Sequence, residues 1–218
     1  MLLDSTFVAA ACPDCPIGRE ARAMVLADAF WTHAWYAVVP FLVATGAVAW
    51  FARGRVTPLV AAGLVLGIGL GGFVDGILLH QILQWHNMLS SHRPPVDLVA
   101  MKYNMVWDGL FHALTWTLCA TGIALLFRAA RRPEVPWSGR TLVGSMLGGW
   151  GLFNLVEGLI DHQLLGIHHV HPGDAQLAWD LGFVSLGGVG LMLLGYVIAR
   201  AVPRPATRGT HARHAPAR

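Results

Sequence analysis

Charge is scarce in this chain. Asp, Glu, Lys and Arg make up 12% of its 218 residues, while 55% are hydrophobic. An ordinary soluble domain carries about twice that charge, so that class is excluded. The formal net charge of +3 does not form the basic stripe of a nucleic-acid binder, and no nucleic-acid partner is expected. Cysteine is equally scarce, 3 in all, which excludes a disulfide framework. Cys12-Pro-Asp-Cys15 leaves one disulfide, a metal-ligand pair or neither role open, and Cys119 reads as a small buried residue. A basic n-region followed by an h-region and cleavage site is also missing ahead of the first apolar run, so that run is expected to direct insertion itself.

Long apolar segments are what the chain has instead. Five, at about 34–52, 57–82, 106–127, 142–165 and 177–199, are long enough to cross a hydrocarbon layer of about 30 Å as helices. The expected fold is all-α, an integral membrane helical bundle of five transmembrane helices. Basic residues collect in alternate connections: Arg53 and Arg55; Arg128, Arg131, Arg132 and Arg140; and Arg200, Arg204, Arg208, Arg213 and Arg218. The remaining connections hold Arg19, Arg22, Arg93 and Lys102. By the positive-inside rule the N-terminus is expected outside and the C-terminus in the cytoplasm.

Two stretches echo each other. Asp75-Gly76 is followed by His80-Gln81 and His86, and Glu157-Gly158 by His162-Gln163 and His168, at identical offsets. Trp107-Asp108 and Trp179-Asp180 then open the next apolar segments. The expected organisation is an extracytoplasmic arm (1–32), a first span (33–55), two parallel two-helix repeats (56–132 and 133–201) and a disordered cytoplasmic tail (202–218). Gly63, Gly67 and Gly71 form a smooth face for close helix approach. Small-residue faces also permit a homodimer.

Ionisable residues are costly in a membrane helix and mark function. Asp75, Asp108, Glu157, Asp161 and Asp180, with His80, His112 and His162, all fall in the outer half of the spans, so one cluster at one depth accounts for them. Carboxylates and imidazoles converging from several helices are the ingredients of a transition-metal site holding iron, copper or zinc. His80, His112 and His162 are the first ligand candidates. Asp75, Asp108, Glu157, Asp161 and Asp180 are expected to ligate, orient imidazoles or carry protons, with Glu157 and Asp108 as catalytic candidates. His86 and His168, with His169 and His171, fall nearer the aqueous surface and suit an access or second site. Asp75 and His80 are five apart, as are Glu157 and His162, which in a regular helix puts them about 140° apart. A π-bulge near Gly76 and near Gly158 would bring each pair onto one face. The repeat is imperfect, because His112 falls opposite Val184 and Asp161 opposite Leu79. Interhelical hydrogen bonding is the competing account of these residues.

The run from Gly71 to His86 and the run Trp107-Asp108-Gly-Leu-Phe-His112 resemble the signatures of a bacterial family of predicted inner-membrane proteins defined as a domain of unknown function, over roughly 56–200. The resemblance implies a polytopic membrane protein and points toward respiratory oxidase assembly components as partners, hence copper or haem. The sequence thus leads first to a metal site serving redox chemistry or metal handling. Haem binding by two histidines, a zinc-dependent membrane hydrolase, and a proton- or cation-coupled transporter or structural subunit remain alternatives.

Overall fold

The computed structural model describes residues 56–200 and isolated positions between 16 and 46. Apart from those positions, the expected N-terminal arm, first span and C-terminal tail lie outside the described residues, with Cys12 and Cys15. Among the described residues every regular element is helical. Four helices are long and apolar enough to cross a membrane, with mean hydropathies from 1.2 to 2.0.

Helix α1 spans Pro58–Ile82. It starts where Thr57 Oγ1 accepts from the Val60 amide and where Pro58 has no amide hydrogen to leave unpaired. It is a regular α-helix to Val74 and a π-helix from Asp75 to Ile82. Helix α2 spans Leu98–Ala130 and begins well before the expected residue 106. Asp97 accepts from the Ala100 amide at 2.8 Å, fixing the earlier start. The added turns carry Asn104, which takes the Leu89 amide and donates to the Arg93 carbonyl, so they anchor a polar loop rather than continue the apolar run. Asp108 and His112 therefore lie well inside α2, not in its first turns.

Helix α3 spans Gly139–Leu164 and is capped by Ser138 on the Thr141 amide. It turns from α to π at Gly158. Helix α4 spans Gln176–Arg200 and contains a third π segment, Phe183–Gly190.

Helices α1 and α3 pack together at the centre, α2 lies against α1, and α4 against α3. Missing side chains permit this closeness. A Cβ on Gly67 would strike the Met146 carbonyl, and one on Gly149 the Leu64 carbonyl. Gly63 and Gly71 face Ser145 and Trp150 on the same seam, while Gly144 and Gly195 abut each other's carbonyls between α3 and α4. The small-residue faces are thus largely consumed within the chain. Outward faces of α2 and α4 expose Trp116, Ile123, Phe127, Leu186, Leu193 and Val197, as a lipid-facing surface should.

Candidate metal centre

The π segments set the site's geometry. Their backbone bonds run from residue i+5 to i, as from the Leu83 amide to Leu78 and from the Leu165 amide to Ile160, both 2.8 Å. Residues five apart then stack on one face. His80 Nε2 accordingly lies 3.1 Å from Asp75 Oδ2. After the π segments of α1 and α3 the chain turns through a left-handed residue, Gln84 (φ 52°) or Gly166 (φ 58°), and folds a loop back over the bundle end. For Gln84 that conformation costs roughly 1–2 kcal/mol.

Those loops carry His86 and His168 inward. His86 is 4% exposed and His168 0%, so both are core residues and not the surface histidines the sequence suggests. Each is fixed by the other's loop. His86 Nδ1 donates to the Val170 carbonyl at 2.9 Å, and His168 Nδ1 donates to the Met88 carbonyl at 3.1 Å. A carbonyl only accepts, so both Nε2 atoms hold bare lone pairs. Burial pushes the His86 imidazole down to about 4 and the His168 imidazole well below its usual range, which keeps both neutral and able to ligate.

The helix histidines are oriented by carboxylates. His80 Nδ1 meets Asp108 Oδ1 at 2.9 Å, and His162 Nδ1 faces Asp180 Oδ1 at 3.4 Å. Asp108 also accepts from Gln81 Nε2, Asn87 Nδ2 and the Met88 amide. Asp180 accepts from Gln163 Nε2, His169 Nδ1 and the Val170 amide. Both carboxylates are saturated and serve to hold histidines and loops. Gln81, Gln163, Asn87 and His169 thus belong to the site's support; the repeated His-Gln pair was the sequence signal for the two glutamines.

What remains unpaired faces inward. Nε2 of His80, His86, His112, His162 and His168, His162 Nδ1, Asp75 Oδ2, both Glu157 oxygens and Asp161 Oδ1 are buried without a hydrogen-bond partner. Such atoms are rare in folded proteins and each calls for an explanation. If His80 donates through Nδ1 to Asp108, then Nε2 and Asp75 Oδ2 are two acceptors 3.1 Å apart, and only a shared positive species stabilises that contact. Two ligands each about 2.0–2.2 Å from one ion lie about 3.3–3.6 Å apart at tetrahedral angles and about 2.8–3.1 Å apart at right angles. His168 Nε2 and Glu157 Oε1 are 3.7 Å apart. Two groups of donor atoms, His80/His86/His168 and Glu157/His162/His168, each lie within 4.8 Å and are positioned to hold a metal ion.

His112 stands apart from both groups. Its Nδ1 donates to the carbonyl of Asp108 at 2.7 Å, in its own helix, and its ring packs where Gly76 lacks a side chain. Asp108 and His112, four residues apart, therefore do not address one point. His171 Nδ1 donates to the Pro172 carbonyl, and its ring stands edge-on to Trp85. A polar cleft of about 450 Å³ opens beside the centre, lined by Gln84, Asn87, Gln176, His86 and His169 among others.

The family model for Predicted membrane protein (DUF2243) matches residues 62–202, well over half the chain. The chain belongs to this family. The match covers all four described helices nearly end to end, and it makes the DUF2243 chain a multi-pass membrane protein. No curated protein and no solved structure matches it.

Proposed function

We propose that this DUF2243 chain holds transition-metal ions at the outer end of a membrane bundle and uses them in redox chemistry or in metal handling for a respiratory complex. One observation carries the reading. Three imidazoles, His80, His86 and His168, bond a carboxylate or carbonyl through Nδ1, and His162 Nδ1 faces Asp180 at 3.4 Å, with all four Nε2 atoms buried and unpaired, as are oxygens of Asp75 and Glu157. Such outer-sphere orientation is typical of ligating histidines. Imidazole-rich sets suit iron, copper or zinc. Asp108 and Asp180 would be positioning residues. Glu157, with both oxygens unpaired, would ligate or carry protons.

The two-helix repeat is part of the proposal. It is supported by reciprocal contacts: Gly67 with Met146 and Gly149 with Leu64, or His86 with Val170 and His168 with Met88, each exchanged by the same shift of 82 residues. The outward orientation is supported by arginines at the opposite end, Arg128, Arg131, Arg132 and Arg140 where α2 meets α3, and Arg200 closing α4. The link to respiratory oxidase assembly components rests on the family resemblance. Donor atoms within 4.8 Å of one another suit a bare ion better than a macrocycle, which disfavours haem. Zinc would turn the reading toward a membrane hydrolase.

A second reading has its own observation. His80 lies between Asp75 and Asp108 at 3.1 and 2.9 Å, which also suits an imidazolium in a proton or cation relay. Elemental analysis and an absorbance spectrum of the purified protein, beside a His80→Ala/His162→Ala variant, separate the two. Metal in the wild type that is lost from the folded variant supports the centre. Metal-free wild type, folded and stable, leaves the relay.

A further inference from the structure

We infer that the centre is dinuclear, one ion held by His80 and His86, with Asp75 3.1 Å from His80 Nε2 completing that half, and the other by Glu157, His162 and His168, with the stacked His86/His168 pair between them. The inference rests on the metal reading above and goes beyond it in number and arrangement.

Donor arithmetic supports two ions. Eight buried donor atoms here lack partners: four imidazole Nε2 nitrogens, one Asp75 oxygen, two Glu157 oxygens and one Asp161 oxygen; His162 Nδ1, which faces Asp180, and His112 Nε2, outside both donor clusters, lack them too. A single transition ion takes about four to six ligands. One ion would leave buried acceptors facing each other with nothing between them, whereas two ions have places for all eight.

Geometry divides the donors the same way. His80 stands edge-on to His86 with centroids 4.5 Å apart, and His162 stands edge-on to His168 at 4.8 Å. The two pairs meet through the parallel rings of His86 and His168, 4.8 Å apart. His80 thus lies nearer His86 and His162 nearer His168, each beside the acid of its own helix, Asp75 or Glu157. His168 belongs to both groups of clustered donors, so the halves adjoin closely enough for the ions to interact, as in two-metal sites about 3.5–4 Å across.

Charge points the same way. The groups acting electrostatically on Asp75, Asp108, Glu157 and Asp161 are histidines and other carboxylates, with no lysine or arginine among them. In a medium of low dielectric these negative charges need cations or protons. Two divalent ions offset four of them. The halves are not equal, because Asp161 adds a carboxylate near Glu157 where the matching position near Asp75 is Leu79. The Glu157 half is richer in oxygen and binds the harder ion or the weaker-held one.

The test is a Co(II) titration of full-length, chelator-treated protein in detergent. A Cys12→Ser/Cys15→Ser background without a polyhistidine tag removes the other thiolate and imidazole sources. Ligand-field absorbance should saturate at two equivalents, with one equivalent remaining in His80→Ala and one in His162→Ala, each checked for fold by circular dichroism and elution volume. Saturation at one equivalent in the parent protein overturns the dinuclear inference and leaves the metal reading standing. No binding overturns both. If either variant fails to fold, the parent stoichiometry decides alone, and magnetic coupling between two Co(II) ions gives an independent count.

Discussion

The imidazoles of His86 and His168 stack with centroids 4.8 Å apart and planes 10° from parallel, each held through Nδ1 by a carbonyl of the other's loop. The loop after α1 is thereby locked to the loop after α3. Removing either ring orphans a buried carbonyl and deletes one inward lone pair. His86→Ala and His168→Ala should each lower stability by about 1–3 kcal/mol, the usual cost of an orphaned buried polar group, and both should reduce bound metal. Thermal unfolding and elemental analysis check this; a pair of variants with wild-type metal content would rule out the ligand role.

Asp108 and Asp180 act through the groups they hold. An asparagine at either position turns one acceptor into a donor, and at 108 that donor meets Gln81 or Asn87. Asp108→Asn and Asp180→Asn should therefore weaken metal binding by about 10–100-fold, the scale found for outer-sphere partners of ligating histidines. Competition with a colorimetric chelator measures it. Unchanged affinity in a folded variant would remove the positioning role.

Protons compete with the fold through the loop histidines. His86 is held at about 4 against a usual 6.5, chiefly by burial, and His168 is displaced in the same direction. The unfolded chain takes up protons that the folded chain refuses. Stability is therefore full above about pH 6.5 and is lost as pH falls toward 4, by about 3 kcal/mol for His86 at about 1.4 kcal/mol per unit. Unfolding midpoints of metal-free protein at pH 7.5, 6 and 5 should fall steadily, and His86→Gln should flatten the slope. Identical slopes in both proteins would count against neutral burial of His86.

Helix approach supports the site from below. Gly67→Ala and Gly149→Ala each drive a methyl group into a facing carbonyl. Overpacking of this kind costs typically about 1–3 kcal/mol, and the two losses should be similar because the contacts mirror each other. Unfolding in detergent reads both. Gly109, with open space around it, is the control and should tolerate alanine.

The membrane class and the four described helices were legible in the sequence because hydropathy over some twenty residues reflects a solvent, not a packing arrangement. Two of the three π segments were legible as well. Acid and histidine repeated five apart can share a face only if the helix widens, and it widens at Asp75 and at Gly158. The start of α2 was misread, because Asp97, Lys102 and Asn104 interrupt its start and hydropathy sees only the unbroken apolar remainder.

The centre's membership is what tertiary structure decided. Spacing along a helix promoted His112, yet its ring is wedged against Gly76 and its free Nε2 falls in neither cluster of donor atoms. Position in a loop demoted His86 and His168, yet left-handed turns at Gln84 and Gly166 carry them into the core. Periodicity reports which face of one helix a residue occupies. Where a loop returns depends on backbone carbonyls and carboxylates supplied by distant segments, Met88, Val170, Asp108 and Asp180, and no local pattern encodes that pairing.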